Sequence, residues 1–325
     1  MRSEVTMQRI SEEHEFRAKS LAHFDRETDF QELQKFQLLK TRVSPRIYDD
    51  RLDWLLGRSS KSSAEWLVTD NIFQGWLDMS NPAVRLLWLQ GIPGAGKLSL
   101  PLDSTRSGAR THIQPGKTFL SAAAIDEAKT RHRTLFVFVS HIHQTSTTTR
   151  CILQSLLFQL AFDVKDAQSV LVESNERELL GSTRYVLELL KTLLDTPAVG
   201  PTYIMLDGLD EMEAVERGIL LQQLSGLDSC PGVKILISSR PEDDIASMLD
   251  GKATEIRVDK RNSGSIQSYV NQRTQNWIRT ANFDQEIRKQ VERLLAPVTE
   301  NADGTYLILT FRNLGSVHLN QVRVC

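Results

Sequence analysis

Residues 86–97 read Leu86-Leu87-Trp88-Leu89-Gln90-Gly91-Ile92-Pro93-Gly94-Ala95-Gly96-Lys97. An apolar run that ends in a glycine-rich turn predicts a buried strand whose last residue opens into a loop. Four more short apolar runs lie downstream: Leu135 to Val139, Tyr203 to Leu206, Ile235 to Ile237 and the weaker Thr254 to Val258. Between them lie stretches with apolar residues three and four apart, including Ile152 to Leu160, Tyr185 to Leu194 and Ile219 to Leu224. Strands alternating with amphipathic helices predict an α/β fold with a mostly parallel, five-stranded sheet covered on both faces. Ligands of such sheets sit at the carboxyl ends of the strands. No repeat of solenoid or propeller period is visible.

The glycine turn fits G-x-x-x-x-G-K. Gly91, Gly94 and Gly96 let backbone N–H groups wrap a phosphate, and Lys97 reaches its outer oxygens. The same residues also fit an ordinary glycine-rich turn after a strand. A second stretch, Tyr203-Ile204-Met205-Leu206-Asp207-Gly208-Leu209-Asp210-Glu211, delivers Asp207 at a strand end with two more carboxylates just behind it. A phosphate-loop enzyme needs one carboxylate there for Mg²⁺, normally through water, and another to orient the attacking water. Asp210 and Glu211 fit equally as acidic residues at a helix N-terminus. A third strand ends in Ser238-Ser239-Arg240-Pro241, where Arg240 either senses a terminal phosphate or pairs with Glu242 or Asp243.

Taken in order, these stretches resemble the NACHT-type phosphate-loop module of fungal signal-transduction ATPases, in its nephrocystin-like form. The likeness also rests on Ala64-Glu65-Trp66-Leu67, Phe73-Gln74-Gly75-Trp76-Leu77, Leu156-Leu157-Phe158-Gln159-Leu160 and Asn301-Ala302-Asp303-Gly304, and it covers roughly residues 60 to 305. It implies a three-layer P-loop NTPase core over residues 61–260, a helical extension over 1–60 and a partial helical lid over 261–325. The resemblance further implies ATP or GTP with Mg²⁺, slow hydrolysis as a conformational switch, and self-assembly or a signalling partner in incompatibility and cell-death responses. Glu211, Asp210 and Arg240 become the catalytic candidates. Asp207 becomes a metal ligand.

The sequence departs from that pattern after Lys97. A serine or threonine should follow the lysine, yet Leu98-Ser99-Leu100-Pro101 stands there, and proline is hostile to a first helical turn's continuation. Twenty residues on, Pro115-Gly116-Lys117-Thr118-Phe119-Leu120-Ser121-Ala122 supplies the missing helix start and hydroxyl. Gly116, Lys117 and Thr118 therefore join the cofactor candidates, Thr118 as a metal ligand. Joining Gly96 to Lys117 restores an unbroken motif, so residues 97–116 are expected to be a non-family insertion, explained most simply as a translated intron. Gly96-Lys97-Leu98 can be encoded GGT-AAG-TTG, which contains a GTAAGT donor, and Pro115-Gly116 as CCA-GGN supplies the acceptor. With the segment present, the chain is expected to bind nucleotide weakly or not at all. The competing reading is a nucleotide-free pseudo-ATPase or scaffold that acts through protein contacts.

Composition narrows the alternatives. Lys and Arg number 39 against 41 Asp and Glu, a formal net charge of -2 without long single-sign blocks, so nucleic acid and anionic lipid are not expected partners. No run approaches a membrane span and the first residues lack the apolar core of a signal peptide, which predicts a cytoplasmic protein. Cys151, Cys230 and Cys325 are too scattered for a disulfide framework or thiolate metal site. His141 and His143 are spaced to share a metal, but no third ligand is near in sequence, and a structural or solvent role is the simpler expectation. Thr145 to Thr149 reads as loop and helix N-cap. The helical pattern after residue 264 fades beyond Gly304, and the expected family helix there is only partly matched. A stand-alone or truncated module is the expectation.

Overall fold

The computed structural model describes residues 30–57, 61–91, 117–141 and 147–258, together with Lys289. Gly94, Gly96, Lys97, Gly116, His143, Cys325, the segment 97–116 and, apart from Lys289, the helical pattern after 264 fall outside that set. Helix α1 covers 30–43, α2 Asp49–Leu56, α3 Lys61–Val68 and α4 Asn71–Leu77. Strand β1, Leu86–Gln90, follows, then α5 Lys117–Lys129 and β2 Arg133–Phe138. Four helices come next: α6 Thr149–Asp163, α7 Lys165–Glu173, α8 Glu176–Gly181 and α9 Thr183–Leu194. The chain then forms β3 Thr202–Asp207, α10 Ala214–Ser225, β4 Val233–Ser239, α11 Asp243–Leu249 and β5 Thr254–Arg257.

All five expected strands are present and form one sheet in the order β2-β3-β4-β1-β5, every pairing parallel. The three central strands are buried almost throughout, as their uninterrupted apolar runs require of a sheet covered on both faces. Period-two alternation splits β4 cleanly. Ile235 and Ile237 line a small apolar cavity with Leu221 and Leu224 of α10 and Met248 and Leu249 of α11. The intervening Lys234 turns to the other face and donates to the backbone oxygens of Gly75 and Asp78 at the end of α4. Helix α5 packs on β2, β3 and β4, backed by α2 and α3, so two helical layers enclose the sheet.

Local chemistry explains several element ends. The Asp70 carboxylate caps α4, accepting from the N–H groups of Ile72 and Phe73 at 2.8 and 3.2 Å. Thr148 caps α6 and Ser182 caps α9 in the same way. Along α9, Val186, Leu187, Leu190, Leu193 and Leu194 are buried at three- and four-residue spacing. The aromatic residues before β1 serve packing: Trp76 is fully buried, its ring 4.9 Å from that of Tyr203, and its indole N–H donates to the Ile235 carbonyl at 3.1 Å. Helices α7 and α8 join α6 to α9 where the sequence pattern indicated no element. Cys230 is buried and Cys151 half-buried, and neither forms a disulfide with another described residue.

Candidate functional site

Because every strand runs the same way, the carboxyl ends of β1, β3 and β4 lie along one edge. Register fixes their heights: Asp207 stands opposite Phe138 on one side and Ser238 on the other, and Gln90 stands opposite Ser239. The tip of β3 is separated from that of β1 only by β4, two strand spacings or about 10 Å. Gly91 leaves β1 at this edge, buried, its N–H donating to the Ser239 carbonyl at 3.3 Å.

Helix α5 brings the second group of residues. Its run Ser121-Ala122-Ala123-Ala124 carries small side chains, which lets the helix approach β3 and β4 closely. Ser121 donates to the Asp207 carboxylate at 2.7 Å. The hydroxyls of Thr118 and Ser238 lie near the same carboxylate and favour its charge, although that of Ser238 stops short of completing a hydrogen bond. Burial nevertheless dominates, and it pushes the Asp207 carboxyl above the ordinary carboxylate range. Lys117, in the first turn of α5, is also largely enclosed, and burial pulls its ammonium below the usual lysine range against the opposing pull of Asp210 and Asp207.

The turn after β3 sets the remaining carboxylates. Gly208 has φ of +82°, and a Cβ there would meet the Val139 carbonyl oxygen at 2.8 Å, so the position admits glycine only. A single 3-10 turn, Leu209–Glu211, then aims Asp210 and Glu211 in different directions. Asp210 lies 3.4 Å from the Lys117 ammonium, 3.1 Å from Nε of Arg240, and accepts from the Arg240 backbone N–H at 3.1 Å. Arg240 therefore pairs with Asp210 rather than with Glu242 or Asp243. Glu242 instead joins Asp244 in holding the buried Arg217. Glu211 accepts from the His141 backbone N–H at 3.1 Å and lies 2.8 Å from His141 Nδ1. Trp88 completes the edge by donating to the Ser239 hydroxyl at 2.8 Å, which in turn donates to the Arg240 carbonyl.

Of the residues singled out in the sequence, the structure thus gathers Lys117, Thr118, Asp207, Asp210 and Arg240 in one cluster. Glu211 stands beside it and Gly91 enters from β1. Ser121, Ser238 and His141 were not expected there. Ser121 and Ser238 reach Asp207 only through the packing of α5 and the register of β4, which local sequence does not display. Among the described residues no group of three His, Cys, Asp or Glu side chains is placed to hold a metal by itself.

Residues 62–100 and 112–240 match the family described as "Nephrocystin 3, N-terminal". The chain belongs to this family. The match leaves out residues 101–111, which fall within the segment where the sequence interrupts its own motif. This nephrocystin 3 N-terminal module is also 25% identical over 272 residues to "Vegetative incompatibility protein HET-E-1" of Podospora anserina. That alignment covers 82% of this chain and 19% of the relative, so the chain spans about a fifth of the relative's length. Solved structures with a similar arrangement include Drosophila ORC bound to DNA, at 16% identity and a TM-score of 0.38 over 69% of this chain and 50% of that one. Another is C. elegans PCH-2, at 11% identity and a TM-score of 0.31 over 63% of this chain and 45% of that one. Neither likeness is close enough to carry a ligand across.

Proposed function

We propose that this module binds ATP or GTP with Mg²⁺ at the carboxyl edge of the sheet and hydrolyses it slowly, as a cytoplasmic conformational switch in incompatibility-type signalling. One observation carries the reading: two cations, a hydroxyl-flanked buried carboxylate and a glycine-led strand exit meet at neighbouring strand tips, as binding a metal-bound polyphosphate requires. Slow turnover, self-assembly and a signalling partner come from the family resemblance and from the incompatibility protein to which the chain is similar.

The donor set suits the metal. Asp207, Thr118, Ser121 and Ser238 present hard oxygens, the kind Mg²⁺ takes. The Ser238 hydroxyl is wholly buried and completes no hydrogen bond, and Asp207 is a desolvated carboxylate in need of positive charge. Asp207 and Thr118 would hold the ion, and a bound Mg²⁺ would neutralise charge on the phosphate oxygens. Lys117 and Arg240 would supply cationic donors to the phosphates, and Glu211, once free of His141, would orient the attacking water.

A scaffold that binds no nucleotide is the second reading, favoured by the break between Gly96 and Lys117. Thermal unfolding of the full chain with Mg-ATP and with Mg-GTP separates the two. Ligand at about 100 times its dissociation constant adds roughly 2.7 kcal/mol of stability. An unchanged melting temperature with both nucleotides would favour the scaffold.

A further inference from the structure

Asp210 satisfies both cations of the site at once. One carboxylate oxygen meets the Lys117 ammonium and the Arg240 backbone N–H, and the other meets the Arg240 guanidinium. The group is enclosed, with its side chain 8% exposed and that of Lys117 14%, so these contacts are little screened by water. The backbone beneath it is fixed: Gly208 donates to the Ser238 carbonyl, and Glu211 donates back to Gly208 across the turn. A residue that activates water needs an acceptor directed at open solvent. Asp210 has both oxygens committed to cations.

We infer that Asp210 is an internal stand-in for a phosphate group: it neutralises Lys117 and Arg240 in the ligand-free protein and is displaced when a di- or triphosphate takes the same two cations. This assigns a regulatory role within the site proposed above and rests on that reading. An anion that must first displace Asp210 binds with an apparent affinity reduced by the fraction of molecules whose clasp is open. Displacement also has a mechanical result. The same carboxylate holds the Arg240 N–H, so handing its cations to a ligand releases Arg240 from Asp210 and from the start of α5, while the Gly208 bond to Ser238 keeps the end of β4 in place. Binding is thereby coupled to a change in the chain leading into α11, beside the Arg217 contacts with Glu242 and Asp244.

Titration calorimetry of the full chain with metal-free pyrophosphate tests the inference, because this probe needs the two cations and neither base nor metal. Asp210→Asn should bind pyrophosphate about tenfold more tightly than the wild type, since a buried negative charge a few ångströms from the anion has been removed. Asp210→Ser, which also removes the charge and takes less room, guards against a folding defect in the first variant and should behave alike. Unchanged or weaker affinity in the folded variants would overturn the clasp, as would an absence of binding in all three proteins. An Asp210 that instead oriented water would leave affinity untouched and slow hydrolysis. Wild-type binding of Mg-ATP and Mg-GTP is a separate arm. Tightened pyrophosphate binding without any Mg-nucleotide binding leaves the clasp standing and sinks the nucleotide reading, and the converse result does the reverse.

Discussion

Asp207 shows the cost of burying a carboxylate. Its burial raises the carboxyl above its unfolded value of 3.8, so the folded state holds the proton more tightly. Stability from this group is complete below the unfolded value and falls as pH rises through the raised folded one. Above that raised value the ionised carboxylate is a liability until a cation reaches it. Asp207→Asn should stabilise the ligand-free protein by about 1–2 kcal/mol, measured by urea unfolding, because an amide can occupy the site without a buried charge. The same substitution should abolish any Mg-dependent thermal shift. A less stable variant that kept its Mg response would contradict the metal assignment. Asp207 itself was legible in the sequence as the polar end of an apolar run. Its partners Ser121 and Ser238 were not, because a serine in an alanine-rich helix or at a strand end looks like any other until register brings it to a carboxylate.

The elements before β1 were readable as helices, though not as the clamp they make. Trp76 and the last turn of α4 are tied to β4 through Ile235 and Lys234, and Tyr203 of β3 donates its hydroxyl to the Leu77 carbonyl. Apolar spacing announces such a helix, whereas backbone contacts made by an indole, an ammonium and a phenol depend on where the sheet stands. Helices α7 and α8 escaped for a simpler reason: with few buried residues each, neither carries enough periodicity to register. At the head of α2, Tyr48 has a buried hydroxyl with no hydrogen-bond partner, and burial pushes its pKa up to about 12 from 10.0. Its contribution is intact below pH 10 and is lost as pH climbs toward 12, because the unfolded phenol ionises first, an effect reaching about 2–3 kcal/mol. Tyr48→Phe should be neutral or slightly stabilising at pH 8 and should remove this part of the alkaline loss. Urea midpoints of the two proteins at pH 8 and 11 measure it, and parallel losses would show the phenol is not the source.

For the molecule as a whole, the parallel five-stranded sheet and the edge proposed for the site were readable in outline from five apolar runs and the residues that end them, whereas the order of the strands was not. What separates the parts of the site is the stretch between Gly96 and Lys117. Among the described residues α5 starts at Lys117, with Thr118 facing Asp207, so on the proposed reading the second Gly-Lys pair supplies the helix half of the phosphate motif. Loop closure alone penalises a longer connection little, about 0.6 kcal/mol per doubling. The obstacle is geometric, since glycines that cradle a phosphate must lead directly into that helix. A chain lacking residues 97–116 should therefore bind Mg-nucleotide at least about tenfold more tightly by calorimetry, a gain of roughly 1.4 kcal/mol. Equal affinity would show that the excursion is accommodated, and sequencing the transcript would tell whether the cell ever translates it.

Trp88 gives the protein an optical gauge of its own. Its indole is anchored to a hydroxyl that is bonded in turn to the first carbonyl of the arginine loop. On the proposed reading, light emission from a ring so placed should shift when that loop changes partners, and loss of the shift in Trp88→Phe would assign it to this ring among the five tryptophans.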